Sequence, residues 1–107
     1  MRFRPVLRAD DLWIGEMAGV KVDGRPVLLV NVEGTVCAYE DRCLHRALPL
    51  SQGRLAGNRL TCAAHEWTYD ACTGCGINPD GVALRRYEVR IVAGQIEVDV
   101  EGEVDAR

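Results

Sequence analysis

The chain has 107 residues, 48% of them hydrophobic, and a net charge of −3 from 13 Lys and Arg against 16 Asp and Glu. That length supports one domain with a single modest core, and the longest apolar run, PVLLV at residues 26–30, falls far short of the roughly 20 residues of a membrane-spanning helix. The opening MRFRPVLRAD has no apolar stretch of the kind a secretory signal uses, so the chain is expected to be soluble, cytoplasmic, without membrane association and monomeric.

Charge is unevenly placed. Residues 88–107 carry a net −4, whereas residues 41–70, with Arg42, Arg46, Arg54 and Arg59 against three acids, carry +1. So small a basic excess, with no aromatic residues interleaved, argues against a nucleic-acid partner and leaves a protein as the expected one.

Turn signals recur about every 8 to 12 residues, the rhythm of short antiparallel strands, so the fold class is expected to be all-β. FRPVLR is a first strand, followed by ADDLW as a turn in which Asp10 can cap a backbone N–H. EMAGVKV and RPVLLVNV flank Asp23-Gly24, and Glu33-Gly34 separates the latter from TVCAYE. Asp-Gly between apolar stretches is a strong hairpin signal. Between residues 41 and 81 the alternation weakens, and Gly53, Gly57, Gly74, Gly76, Gly81, Pro49 and Pro79 crowd a segment with four of the five cysteines. A bound cofactor could replace missing core in such an insert. LRRYEVRIV and QIEVDV then form a last hairpin around Ala93-Gly94, with Leu84, Tyr87, Val89 and Ile91 facing inward, and EGEVDAR is expected to be a frayed acidic tail.

The weakly patterned segment holds both of the chain's histidines. Cys43 and His45 form a Cys-x-His pair, and Cys62 and His65 form a Cys-x-x-His pair. Five cysteines, an odd number without a secretory signal, argue for reduced thiols used as ligands rather than a disulfide framework. Two thiolates and two imidazoles suit zinc or an iron–sulfur centre. A common zinc finger pairs Cys with nearby Cys and His with nearby His, the latter on a helix. Here each pair supplies one of each, and Pro49 and the glycines oppose a helix between them. If each pair gives its Cys to one iron and its His to the other, the result is a Rieske 2Fe-2S cluster. A zinc-stapled interaction module is the alternative, and it would be colourless.

With these motifs in place, the sequence resembles the Rieske-type ferredoxins, and among them the ferredoxin components of the toluene 4-monooxygenase and toluene/o-xylene monooxygenase systems. The likeness runs through DDLWIGEM, VLLVN, CLH, LTCAAHEWTYD, TGCGINPD and YEV, nearly the whole chain. It implies a single Rieske (iron–sulfur-protein-like) domain over residues 1–107, built as an antiparallel three-sheet sandwich with a small cluster-binding subdomain at about 41–81. It further implies that Cys43 and Cys62 hold the buried iron of one 2Fe-2S cluster and His45 and His65 the iron nearer solvent. The loop at residues 76–80, with Pro79, would cover the cluster. The implied role is that of an electron carrier, not an enzyme. It would take single electrons from an NADH-dependent flavin/iron–sulfur reductase and pass them to the diiron hydroxylase of an aromatic-hydrocarbon monooxygenase. The alternative within the class is the ferredoxin of a Rieske ring-hydroxylating dioxygenase.

The chain departs from the high-potential Rieske proteins. Leu48 and Ala64 stand where those proteins carry a disulfide pair, and Glu66, Trp67 and Thr68 stand where they place a hydroxyl donor to cluster sulfur, with Thr68 left as an alternative donor. Fewer hydrogen bonds to sulfur stabilise the reduced state less, which predicts a midpoint at the low end of the Rieske span, about −150 mV. Trp67 is expected to pack beside the cluster and keep water from it, and Trp13 to anchor the first loop to the sheet. Arg42 and Arg46 flank the first pair and would steer docking onto an acidic surface, a solvated face being the alternative. The CTGC at residues 72–75 reads as a tight turn rather than a redox dithiol, because no strand-to-helix junction surrounds it. Cys37 reads as a small buried hydrophobe.

Overall fold

The run Arg25–Val32 is apolar almost throughout because the strand it forms is buried on both faces. In a computed structural model, which describes residues 3–43, 49–63, 67–78 and 80–104, Val27, Leu28, Leu29 and Val30 have no exposed surface. Side chains alternate along the strand. Leu28, Val30 and Val32 enter one core with Cys37 and Tyr39, and Val27 and Leu29 enter a second with Ala38, Tyr87, Ile96 and Val98.

Among the described residues ten strands surround these cores: β1 (Arg4–Arg8), β2 (Met17–Val22), β3 (Arg25–Val32), β4 (Thr35–Glu40), β5 (Arg54–Ala56), β6 (Arg59–Thr61), β7 (Thr68–Asp70), β8 (Gly76–Asn78), β9 (Arg86–Val92) and β10 (Gln95–Val104). The frame sheet runs β1-β10-β9-β4-β3-β2 and the smaller sheet β5-β6-β7-β8, every named pair antiparallel. The halves of the frame, β1-β10-β9 and β4-β3-β2, meet in only two register pairs, Ala38 with Tyr87 and Tyr39 with Arg86. The frame curls at this narrow seam, bringing its edges β1 and β2 together. Arg4 pairs with Asp23 at 3.5 Å, and the Arg25 guanidinium donates to the Val100 carbonyl at 3.2 Å, both across the resulting fold. The strands are antiparallel throughout, as the resemblance implies, and pair into one six-stranded and one four-stranded sheet rather than three.

The three expected hairpins close as two-residue turns. Asp23-Gly24, Glu33-Gly34 and Ala93-Gly94 all have positive φ at both positions, the twist-compatible geometry for a tight antiparallel connection. The segment that looked loop-rich contains its own hairpin, β5 to β6, and the acidic stretch after residue 100 continues β10. There Glu103 and Val104 pair with Tyr87 and Arg86 after a register shift that begins past Asp99.

Three expectations about side chains are corrected. Asp10 does not cap the Ala9–Asp11 3₁₀ turn, which has no side-chain cap; its carbonyl instead accepts the Trp13 indole N–H at 2.7 Å. Trp13 is 70% exposed and anchors nothing to the sheet. The loop is held from the other side, where the Asn31 amide donates to the Leu12 carbonyl at 2.9 Å and the Asn31 backbone exchanges bonds with Gly15 and Glu16. Ile91 lies near the end of the last hairpin and is 51% exposed, although its cross-strand partner Ile96 is buried. Among the described residues no helix is long and apolar enough to cross a membrane.

Candidate metal centre

The core between β3–β4 and the small sheet carries the chemistry. Cys43 follows the end of β4 and Cys62 the end of β6, so two separate loops deliver thiols into one apolar volume. Both sulfur-bearing side chains are buried, at 0% and 1% exposure, and neither is in a disulfide. Leu28, Leu50, Leu60, Tyr69 and Leu84 pack in the same cluster. Two reduced thiols in one apolar core suit a sulfur-ligated iron centre, because thiolate is a soft donor and an apolar shell limits solvent access to the metal. His45, His65, Arg46 and Pro79, together with Leu48, Ala64 and Glu66, lie outside the described residues.

A local backbone bond helps to set the position of Cys62. The Cys62 N–H donates to the Trp67 carbonyl at 2.8 Å, which closes the second loop on itself. Register then places Tyr69 opposite Leu60. The Tyr69 hydroxyl lies 3.7 Å from the Cys43 sulfur, within hydrogen-bond reach for sulfur. Sequence reasoning missed this contact because it sought a hydroxyl among residues 66–68. Alternation along β7 was the available signal, since of two successive residues only one can face the core. Tyr69 is fully buried there and Thr68 is half-buried. Trp67 packs partly buried against the same core, and Arg42 is exposed immediately before Cys43.

The remaining cysteines do different work. Cys37 is buried, its thiol donating to the Cys72 carbonyl at 3.7 Å and receiving the Arg86 guanidinium at 3.6 Å. Cys72 and Cys75 sit in a turn pinned by Gly74 N–H to the Asp70 carbonyl at 2.6 Å and Cys72 N–H to the Asp70 carboxylate at 2.8 Å. Burial first, then the Asp70 carboxylate and Cys37, push the Cys72 thiol above its usual range. A thiol held protonated is a poor nucleophile. Among the described residues no group of three or more His, Cys, Asp or Glu side chains gathers to hold a metal, so Cys37, Cys72 and Cys75 form none among themselves.

The family model described as the Rieske [2Fe-2S] domain matches residues 2–88. The chain belongs to that family. A Rieske 2Fe-2S cluster is therefore its cofactor, and when bound that centre takes up and releases single electrons. Among curated proteins this Rieske domain is similar to the ferredoxin component of the alkene monooxygenase system of Xanthobacter autotrophicus. The two are 38% identical over 97 residues, covering 90% of this chain and 80% of that protein. It is also similar to the ferredoxin component of the naphthalene 1,2-dioxygenase/salicylate 5-hydroxylase systems of Ralstonia, 33% identical over 93 residues, covering 86% and 89%. In structure it resembles a chain of the complex of reduced oxygenase and oxidized ferredoxin in carbazole 1,9a-dioxygenase. The TM-score is 0.88 at 29% identity, over 97% of this Rieske domain and 98% of that chain. The ferredoxin of carbazole 1,9a-dioxygenase from Nocardioides aromaticivorans gives 0.84 at 26% identity, over 92% and 97%.

Proposed function

We propose that Cys43, His45, Cys62 and His65 hold the 2Fe-2S cluster, the two thiolates on the buried iron and the two imidazoles on the other, and that residues 41–81 act as the cluster-binding subdomain. Trp67 and Pro79 exclude water from it. The observation that carries this reading is the burial of Cys43 and Cys62 in one core, each followed within three residues of sequence by one of the chain's two histidines. Two thiolates and two imidazoles are the donor set of a Rieske centre.

The protein is a one-electron carrier that transforms no substrate itself. It takes electrons from an NADH-dependent flavin/iron–sulfur reductase and delivers them to an oxygenase, and Arg42 and Arg46 beside the cluster steer the encounter. The motifs DDLWIGEM and GINPD favour the diiron hydroxylase of an aromatic monooxygenase as the acceptor, and the likeness to an alkene monooxygenase ferredoxin supports a monooxygenase system of some kind. The second reading, service to a ring-hydroxylating dioxygenase, is favoured by the naphthalene and carbazole dioxygenase relatives. Reduced protein offered to purified hydroxylases of both kinds, with substrate-dependent product as the readout, separates them. The cluster itself is tested by visible and reduced-state electron paramagnetic resonance spectra. A red-brown protein with a rhombic signal of low average g is expected, and a colourless zinc protein would overturn the reading.

Tyr69 tunes this centre. Once Cys43 binds iron as a thiolate it can only accept, so the Tyr69 hydroxyl donates, and such a bond stabilises the more negative reduced state. Of the roughly 1.5–3 kcal/mol a bond to a charged acceptor contributes, about 1 kcal/mol changing with redox state corresponds to about 40 mV for one electron. Tyr69→Phe is expected to lower the midpoint by that order, as read by spectroelectrochemical titration. An unchanged midpoint would show that the hydroxyl does not reach the sulfur.

A further inference from the structure

The segment that carries Cys43 and His45 is tied at its base by two side chains that bracket it. Asp41 is buried, and its carboxylate binds Ser51 twice: Oδ1 accepts the Ser51 backbone N–H at 2.8 Å and Oδ2 accepts the Ser51 hydroxyl at 2.7 Å. Two bonds from one residue to one carboxylate fix orientation as well as distance. Each end is secured to a different part of the fold. The Asp41 N–H donates to the Pro26 carbonyl on β3 at 3.1 Å. Ser51 lies in the 3₁₀ turn Leu50–Gln52, which buries Leu50 in the cysteine-bearing core.

A third residue, remote in sequence, is shaped to this contact. Gly19 lies within β2 in regular register with Leu28, so neither a turn nor a bulge accounts for a glycine there. Glycine inside a strand weakens it, and one reason to keep it is close approach by another part of the chain. An added Cβ would stand 2.7 Å from the Ser51 hydroxyl oxygen and 2.8 Å from Asp41 Oδ2. The β2 strand therefore lies directly over the carboxylate–serine pair.

We propose that Asp41, Ser51 and Gly19 form a positioning clamp for the first cluster-binding loop, holding its two ends at a fixed separation so that Cys43 and His45 meet iron in one geometry. This rests on the assignment of those two residues as ligands. Closing a loop before the metal binds removes an entropic cost from binding, and outer groups that orient metal ligands typically change retention by 10- to 100-fold. The clamp therefore acts on how firmly and how uniformly the cluster is held.

The experiment uses the full chain carrying its cluster. Ser51→Ala and Gly19→Ala are each expected to speed cluster loss to an iron chelator by about 10-fold and to broaden the reduced-state paramagnetic resonance lines. Asp41→Asn is expected to stay close to the parent, because its amide oxygen can accept the Ser51 N–H and its amide nitrogen can donate to the hydroxyl. Gly19→Ala leaves both clamp residues chemically intact, so agreement between it and Ser51→Ala identifies the contact itself. Ser51→Ala and Gly19→Ala proteins with parental line shape and parental chelation rate would overturn the proposal. Broadening in Asp41→Asn equal to that in Ser51→Ala would also overturn it. A parent protein with no rhombic signal would overturn the ligand assignment, and the clamp with it.

Discussion

Cys62→Ala protein is expected to deliver no electrons: oxygenase turnover falls to background, while the same oxygenase given a chemical reductant remains active. The substitution removes one of the two thiolates assigned to the buried iron. The side chain has 1% exposure and shares its core with Cys43, and alanine brings no sulfur to that position. His45→Ala should behave in the same way through the other iron. Cys72→Ala and Cys75→Ala are the controls, because both residues belong to a hydrogen-bonded turn and burial pushes the Cys72 thiol above its usual range. Iron and acid-labile sulfide are measured on each purified protein beside the coupled assay. A full rhombic signal from Cys62→Ala, or its loss from Cys72→Ala, would reverse the assignment of ligand and turn cysteines. Substitution of a ligand also tests how far the cluster supports the fold, since metal-binding free energy in a small domain is in part folding free energy.

The parts of this fold that could be read from the sequence are those governed by local rules. Asp23-Gly24, Glu33-Gly34 and Ala93-Gly94 mark the three tight hairpins because the glycine of each pair, and the aspartate of the first, favour left-handed backbone. The Cys-His spacings point to the proposed ligands because soft sulfur and imidazole in mixed pairs suit few centres, and two of the four, Cys43 and Cys62, share one core. What could not be read depends on contacts between segments distant in sequence. Trp13 looks like an anchor by its size, but Asn31 on β3 already holds that loop through Leu12, Gly15 and Glu16, leaving the indole outside. Tyr69 acquires its place beside Cys43 only when β7 pairs with β6. The tail after residue 100 has the composition of a frayed end, yet continues as β10 because β9 offers partners to Glu103 and Val104. Asp41, Ser51 and Gly19 are unremarkable one at a time, and their relation exists only where β2 crosses the base of the first loop.

Gly53→Ala is expected to be among the most damaging single substitutions in the chain outside the ligands. Gly53 ends the 3₁₀ turn that follows the first cluster loop and immediately precedes β5. A Cβ there would collide with the carbonyl oxygen of Thr61 and would also crowd the Thr61 carbonyl carbon at 3.1 Å and the Leu50 carbonyl oxygen at 3.2 Å. All three are backbone atoms, so no side-chain rotation relieves the overlap. Either the Gly53 end of β5 withdraws from Thr61, breaking the Arg54–Thr61 register, or Thr61 moves and takes Cys62 with it. Leu50 is fully buried beside both cysteines, and the bond from the Gly53 N–H to its carbonyl at 2.9 Å resists the first route. Overpacking against fixed neighbours costs about 1–3 kcal/mol and occasionally more, and the backbone character of this contact puts the expected loss at about 3 kcal/mol or above. The loss should appear as a lower denaturation midpoint and as substoichiometric cluster in the purified protein. Ala56→Ser, on the exposed face of the same strand, should alter neither. A Gly53→Ala protein with full cluster content and an unshifted midpoint would mean that β5 and β6 separate freely beside Cys62. The small sheet would then not be what fixes the second ligand loop.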